Sequence, residues 1–317
     1  MRRPSFVLTF AFLALVACAE DPTDPIGDID DKGGNDGGED FDLQAFLAET
    51  FVIGVDATSG TAPDLVRFRM DSVVVEPLVL GASSWIELRP TASARGQIVF
   101  QRGWPHSYLT TPDDPEQPLV DGGPDAQVWA HFTGDGQSLV FAGGPTPEST
   151  IEVWTVAATG GEAELLWTDP YEGHTMAPSL SPEGTRLGVV VEYSGMGDTA
   201  WTADRVLHVV DVATDSIIRT VQGADIARFS PTAERVAILV EGDLYTMNSD
   251  GTDLELLAPG EPGFSARNLG WSPDGEWILV HDPVAPHSWF GELVLVDPDT
   301  GEQHPTGLNV SQASWAQ

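Results

Sequence analysis

The sequence predicts an all-β protein assembled from repeated units of about four antiparallel strands. A turn motif of the form bulky residue–Ser–Pro–Asp–Gly recurs along the chain, and a second strand-and-turn motif alternates with it. Pro, Asp and Gly are typical of tight turns, and the β-branched and aromatic residues that follow are typical of strands. No helical periodicity of useful length follows residue 50.

The turn motif occurs five times in full and once more in truncated form. Its copies are LRPTASARGQIVF (88–100), FTGDGQSLVF (132–141), LSPEGTRLGVVV (180–191), FSPTAERVAILV (229–240), WSPDGEWILV (271–280) and SWAQ (314–317). The bulky residues taken as anchors are Leu88, Phe132, Leu180, Phe229, Trp271 and Trp315, which are spaced by 42 to 49 residues. A repeat of this length is typical of the blades of a β-propeller.

The second motif is a strand followed by a tight polar turn. Its copies are IEVWTVAATGGE (151–162), RVLHVVDVATDS (205–216), DLYTMNSDGTD (243–253) and ELVLVDPDTGE (292–302). Together the two motifs predict four strands per unit, a to d, counted along the chain. In one unit they predict strands over 224–229, 235–240, 243–247 and 254–258.

The two ends of the repeat region complement each other. SQASWAQ (311–317) supplies an innermost strand and then stops, whereas 65–71 and 72–80 supply strands with no inner strand of their own. Five complete units and one shared unit predict a six-bladed β-propeller over residues 43–317, with four-stranded antiparallel blades. Its N- and C-terminal strands would close the ring and leave no exposed sheet edge.

This pattern resembles the TolB-like, WD-repeat-like propeller family, whose hallmark is the W/F-S-P-D-G turn. The resemblance covers residues 60–317, and two copies depart from it, with TASARG and TAE in place of Asp-Gly. TolB carries a separate α/β domain for which this sequence shows no pattern, so we do not expect its place in the Tol system here. The family group also includes oligogalacturonate lyases with a His-rich metal site, which implies an enzymatic alternative.

The first residues predict export and lipid anchoring. Arg2 and Arg3 precede a short apolar core, which is typical of a signal peptide over residues 1–17. The sequence LVAC ending at Cys18 resembles the lipobox of bacterial lipoproteins, which implies a lipidated Cys18. The residues after it do not resemble the Asp signal for inner-membrane retention, so we expect the outer membrane, with the protein facing the periplasm or the cell surface.

Residues 18–42 predict a flexible acidic tether, because Asp, Gly and Pro dominate and apolar residues are nearly absent. Residues 28–39 nearly match a calcium loop, with Asp or Glu at positions 1, 3, 9 and 12 and Gly at position 6. Lys32 occupies position 5, where a ligand belongs. A solvated tether is therefore favoured, and calcium binding stays open.

The net charge of −35, from 49 acidic and 14 basic residues, argues against nucleic acid or anionic lipid surfaces as partners. The lipid anchor is then the only membrane contact that we expect, and we expect a monomer. Cys18 is the only cysteine, which excludes an intrachain disulfide and a cysteine-based zinc site.

In a propeller the a–b and c–d turns share one face, and the b–c and d–a loops share the other. The loops predicted for the second face, here called the loop face, are 101–108, 192–205, 281–292 and 168–175. They are irregular and aromatic, which is typical of binding surfaces on a rigid scaffold, although such rings also pack loops on themselves. The candidate binding residues are Trp104, His106, Tyr108, Tyr171, His174, Tyr193, Trp201, His281, His287, Trp289 and Phe290.

Two functions are considered on this face. The sequence lacks a G-x-S-x-G elbow, a Walker loop and an H-E-x-x-H motif. We therefore favour a non-catalytic, cofactor-free module that binds a protein or glycan of the cell envelope. The alternative is a metal-assisted lyase or hydrolase of polysaccharides, with a divalent metal at His281, Asp282 and His287. Arg102, Arg205 and Arg267 near the same face would suit acidic sugars.

Overall fold

The computed structural model describes residues 42–56, 64–71, 73–79, 89–93, 95–103, 108–193, 204–232, 234–260, 264, 268–283 and 291–316. The signal peptide, Cys18 and the 28–39 segment lie outside these ranges, as do the candidates Trp104, His106, Trp201, His287, Trp289 and Phe290, and Arg267. Within the described ranges, no helix has the length and apolar character needed to span a bilayer.

The described chain contains one helix, α1 (Leu43–Glu49), and otherwise strands. The strands are β1 Phe51–Asp56, β2 Asp64–Arg69, β3 Val73–Val79, β4 Thr91–Ala92, β5 Ile98–Arg102, β6 Tyr108–Thr110, β7 Val120–Asp121, β8 Ala126–Phe132, β9 Ser138–Gly144, β10 Glu152–Ala157, β11 Gly161–Glu162, β12 Glu164–Thr168, β13 His174–Leu180, β14 Arg186–Tyr193, β15 Asp204–Asp211, β16 Ser216–Gln222, β17 Ala224–Phe229, β18 Arg235–Val240, β19 Asp243–Asn248, β20 Glu255–Ala258, β21 Leu269–Trp271, β22 Ile278–Pro283, β23 Gly291–Val296 and β24 Gln303–Ala316. The all-β prediction is confirmed.

The sheets have the arrangement of propeller blades. Three four-stranded sheets have the orders β8-β9-β10-β12, β13-β14-β15-β16 and β17-β18-β19-β20. Neighbouring strands in each sheet are antiparallel. The short β11 lies outside the first sheet and pairs with β7. The strands of the unit that begins at Ala224 lie within a residue of their predicted bounds. The propeller-like arrangement predicted from the repeat is therefore confirmed.

Strand β24 belongs to two neighbouring sets of strands. Its first half pairs with β23, with Val310 opposite Gly291. Its second half pairs with β1, with Trp315 opposite Val52 and Ala316 opposite Phe51. A single seven-stranded sheet of order β21-β22-β23-β24-β1-β2-β3 results, in which the last strand of the chain lies beside the first.

In each of the five full copies the turn is held by a hydrogen bond from a backbone amide to the Ser or Thr hydroxyl that opens it. In the fifth copy the amide of Trp277 donates to Ser272 Oγ at 2.9 Å, and Ser272 Oγ donates to Asp274. Gly275 takes a φ of 81°, which only glycine adopts without strain. In the second copy Ser138 N donates to Thr133 Oγ1 at 3.1 Å. The sequence motif therefore encodes a specific turn between strands a and b.

The predicted register of the first copy is wrong. Leu88 is the predicted anchor of this copy, but the residue that precedes the turn is Ala92. Gln97 N donates to Ser93 Oγ at 3.1 Å, and Gly96 has a φ of 77°. The turn is one residue shorter than in the other copies. TASARG therefore keeps the Ser and Gly of the motif at their usual spacing, and the bulky anchor was the less reliable signal.

The helix α1 was not predicted. The Asp42 side chain accepts a hydrogen bond from Ala45 N at 3.1 Å, which caps the first turn. Leu47 is buried in a cluster with Trp315, and the ring of Phe46 lies 5.9 Å from that of Trp277. Helices of this length are stabilised by tertiary packing, which leaves little periodicity to read.

Candidate functional site

The six strand segments that carry the turn motif surround one cavity of about 150 Å³. They are β4, β8, β13, β17, β21 and the end of β24, and each contributes residues to the lining. The lining also includes turn residues, among them Gly134 and Pro273, which are exposed. The cavity thus lies near the end of these strands that leads into the a–b turns.

One position of the repeat supplies a side chain or backbone to this cavity in every copy. It is the residue just before the anchor, with Ala92 as the anchor of the first copy and Trp315 as that of the truncated copy. The position is occupied by Thr91, His131, Ser179, Arg228, Gly270 and Ser314. Side chains alternate along a strand, so the repeat fixes which residue of each copy faces inward. The lining is therefore set by the repeat, whereas its chemistry differs from copy to copy.

The backbone of these strands is strained two residues earlier in four of the copies. Arg89, Trp129, Ala177 and Gln312 have φ values of 31°, 59°, 45° and 54°. At the last three the strand register also shifts, which marks β-bulges. Bulges redirect neighbouring side chains and are frequent next to functional sites.

The cavity carries positive charge in a strongly acidic chain. Among the described residues, its lining contains two arginines, Arg89 and Arg228, and not one carboxylate, although the chain has 49 acidic residues. The guanidinium of Arg89 lies 3.2 Å from the centroid of the Trp129 ring, which is a cation–π contact.

Arg228 is 7% exposed. Its Nη1 donates to the carbonyl oxygens of Ala177 and Ala227 at 3.0 and 2.9 Å, whereas Nε has no hydrogen-bond partner among the described residues. No described carboxylate forms an ion pair with Arg228. Burial lowers the pKa of Arg228 to about 9, so the side chain is still protonated at neutral pH.

Asn268 is a second buried donor in the lining. It is 3% exposed, and its Oδ1 accepts a hydrogen bond from Ala313 N. Its Nδ2 makes no hydrogen bond with a described residue. Buried donors are nearly always paired, so two unpaired ones in a single cavity are unusual.

His131 adds a polar group without charge. Burial, and then the charge of Arg228, lower the pKa of His131 to about 3, so its imidazole is neutral at pH 7. His131 therefore neither adds to nor reduces the positive charge of Arg228 at physiological pH.

His131 is expected to make folding sensitive to acid. Its pKa in the folded protein lies below the ordinary value of 6.5, so the unfolded chain takes up a proton first as the pH falls. The resulting stability is fully present above pH 6.5 and is lost progressively towards pH 3. Urea unfolding at pH 7 and pH 4 should show that wild type loses about 1–2 kcal/mol more than His131→Gln. Equal losses in both proteins would contradict this assignment.

On the predicted loop face, Tyr171 projects from the d–a loop and is 69% exposed. Its ring lies 6.2 Å from that of Tyr193 in an edge-to-face arrangement. The Tyr193 hydroxyl donates to Asp169 at 3.1 Å and lies 2.9 Å from Nε2 of His208. Burial and the adjacent Asp169 raise the pKa of Tyr193, and burial lowers that of His208. The exposed ring therefore rests on a fixed polar network.

The structure places His281 inside β22 and not in the predicted loop. Its side chain is 0% exposed, and its Nε2 donates to the Val310 carbonyl at 3.0 Å. Asp282 lies next to it in the strand, and burial raises the pKa of Asp282. The predicted loop bounds were too wide here because the β22–β23 ladder continues as far as Pro283 opposite Gly291.

The remaining described candidates make structural contacts. His174 Nδ1 lies 2.9 Å from Thr150 Oγ1, and burial lowers its pKa. The Tyr108 hydroxyl donates to the Pro115 carbonyl at 3.5 Å. Arg102 pairs with Glu116 at 2.6 Å, and Arg205 pairs with Glu192 and Asp225. In the described ranges, no group of three or more His, Cys, Asp or Glu side chains is placed to hold a metal ion.

None of the predicted candidates that the structure describes lines the central cavity. The predicted candidates do not include Arg89, Trp129, His131, Arg228 and Asn268. A signal for two of them was present, since His131 and Arg228 directly precede the anchors Phe132 and Phe229. An Arg at a position that other copies fill with Ser, Thr or Gly stands out once the copies are aligned.

Comparison with known proteins supports the fold. No family model matches the sequence, and no curated protein matches it. A putative TolB from Agrobacterium tumefaciens is similar over 84% of this chain and 90% of its own, with a TM-score of 0.57 and 14% identity. TolB from Acinetobacter baumannii is similar over 85% and 67%, with a TM-score of 0.58 and 13% identity.

A propeller in a nidogen/laminin complex is also similar, over 84% of this chain and 98% of its own, with a TM-score of 0.57 and 7% identity. At such identities these likenesses show a shared propeller fold and not a shared activity.

Proposed function

We propose that this protein is a lipid-anchored, six-bladed β-propeller that binds a protein or glycan of the cell envelope through its loop face, without catalysis. The pairing of β24 with β1 supports closure of the ring by the two terminal strands. The convergence of six motif-bearing strands on one cavity supports the number of blades. The lipobox-like sequence before Cys18 supports export and anchoring to the outer membrane, with residues 18–42 as the tether.

The exposed ring of Tyr171 is the observation that carries the binding role. An aromatic side chain that is exposed yet held by a neighbouring ring loses little conformational entropy when a partner covers it. Tyr193 provides that support through its own bonds to Asp169 and His208. Tyrosine is among the residues that contribute most of the energy at binding interfaces.

The contacts of the two described candidate histidines, His174 and His281, favour binding over catalysis. A general base or metal ligand has to present a free ring nitrogen to its substrate or metal. His281 is instead buried in β22, and His174 lies against Thr150. The similarity of fold to TolB and to the propeller of a nidogen/laminin complex is in line with a module that binds another macromolecule.

Replacing Tyr171 tests this function. Tyr171→Ala is expected to weaken binding to the partner by about tenfold or more, because a central aromatic contact is lost. Binding would be measured on two materials, purified peptidoglycan sacculi and solubilised outer-membrane proteins, so that glycan and protein partners are distinguished. Release of new sugar ends would be followed in the same samples.

Leu256→Ala is the matched control, because Leu256 is a large exposed residue on the outer strand β20. It should bind as wild type does. Saturable binding that Tyr171→Ala leaves unchanged would contradict the assigned face, and catalytic release of sugar ends would contradict the non-catalytic role.

A further inference from the structure

We propose that the central cavity is an anion site that binds a carboxylate group, with Arg228 as the cation and Asn268 as a neutral donor. This site goes beyond the loop-face function above and does not depend on it. The cavity lies towards the a–b turns, whereas the proposed partner surface lies among the b–c and d–a loops.

The burial of the Arg228 guanidinium is unfavourable in itself. A buried charge is normally paired with an opposite charge, because removing it from water is unfavourable. Arg228 pairs with no described carboxylate, and its Nη1 bonds only to two carbonyl oxygens. Its Nε is left unpaired next to the cavity. Pairing with a bound anion would offset the free-energy cost of burying the Arg228 charge.

The composition of the lining supports a ligand over an internal partner. Acidic residues outnumber basic ones by 49 to 14, and even so none of the described residues that line the cavity is acidic. The neighbouring copies place Ser179 and Gly270 at the position that Arg228 occupies, and neither residue is charged. His131 is neutral at pH 7 and therefore does not repel or neutralise an incoming anion.

Asn268 gives the site a second donor. Its Oδ1 is fixed by the Ala313 amide, which leaves Nδ2 as the unpaired end of the amide group. Because the amide is held from one side, Nδ2 is oriented before a ligand arrives. Preorganised donors bind anions without the cost of ordering them on binding.

A carboxylate fits this site better than a phosphate dianion. Arg89, the other arginine of the lining, is stacked on the Trp129 ring, so Arg228 is the cation that we assign to the ligand. Its single charge matches a monoanion, whereas a dianion would bring excess negative charge into a chain of net −35. The planar guanidinium also matches the geometry of a carboxylate. A volume of about 150 Å³ admits a small acid or the end of a larger chain.

Two sources of a carboxylate are distinguished by the probes. Propionate represents a free small acid, and acetyl-alanyl-alanine represents the terminal carboxylate of a peptide. Propionamide and the peptide amide are the neutral counterparts of the same shape. Titration calorimetry of the purified full chain at pH 7, in chloride-free buffer, is expected to show binding of at least one acid and of neither amide.

Arg228→Met is expected to weaken binding of the acid by about 10- to 100-fold, because a buried charge-assisted hydrogen bond is lost. Arg219→Met is the matched control, since it removes the same charge from an exposed position on the outer strand β16 and should bind as wild type does. Asn268→Asp adds a negative charge to the cavity and should also weaken binding.

Three results would overturn the proposal: no binding of either acid to wild type, equal binding of acid and amide, or equal loss in Arg228→Met and Arg219→Met. Tighter binding of inorganic phosphate than of both acids would overturn the assignment to a carboxylate. None of these results bears on the Tyr171 experiment, so the two proposals fail separately.

Discussion

Deleting residues 311–317 is expected to abolish the cooperative unfolding transition of the propeller. The deletion removes the half of β24 that pairs with β1, and with it Trp315, which is 8% exposed and lies opposite Val52. Loss of one such tryptophan costs about 3–5 kcal/mol. The backbone hydrogen bonds that join residues 313–316 of β24 to β1 are lost as well. Whole domains are stable by only about 5–15 kcal/mol, so little or no stability should remain.

Thermal unfolding followed by circular dichroism measures this effect, with a chain shortened only by Gln317 as the control. The control should unfold as wild type does. A transition of normal midpoint and sharpness in the 311–317 deletion would contradict the closing role of this strand. Exposure of the β1 edge is also expected to promote aggregation, which light scattering would detect.

Arg228→Met is expected to stabilise the folded protein by about 2 kcal/mol in the absence of ligand. The substitution removes an unpaired buried charge and fills the same volume with an apolar chain of similar length. The gain is reduced by loss of the Nη1 hydrogen bonds to Ala177 and Ala227. A residue that lowers stability but supports binding is typical of functional sites.

Urea unfolding at pH 7 measures the change, with Arg219→Met as the control of equal charge change. The control should alter stability by less than about 0.5 kcal/mol, as exposed substitutions usually do. If Arg228→Met instead loses about 2 kcal/mol or more, Arg228 is a structural residue whose hydrogen bonds outweigh its desolvation, and the premise of the anion site is wrong.

Much of the fold could be predicted from the sequence because the motif combines turn and strand signals. The turn at Ser272–Trp277 depends on a hydroxyl, a carboxylate and a glycine at fixed spacing, and each of these is recognisable from its residue type in the sequence. The first copy was misaligned because its anchor Ala92 is small, whereas Leu88 nearby is bulky. Helix α1 was missed because its stability comes from contacts with distant residues such as Trp277.

The predicted loop face and the central cavity depend on different features of the sequence. The loop face was predicted from its aromatic and histidine residues. One of these, His281, instead lies in strand β22, where it pairs with Leu293. The cavity depends on a different feature, which is the inward-facing position just before each anchor. Aligning the copies singles out Arg228 as the one arginine at this position, but its role depends on the absence of a described carboxylate beside it in space. That absence is not readable from one sequence.

The most direct test of the central claim is an X-ray measurement on crystals of the chain soaked with bromoacetate. The anion site predicts an anomalous bromine peak within the central cavity of wild type, with the carboxylate about 3 Å from Arg228 Nε and from Asn268 Nδ2. The same peak should be missing from crystals of Arg228→Met. Bromine in neither crystal, or at equal height in both, would contradict the account.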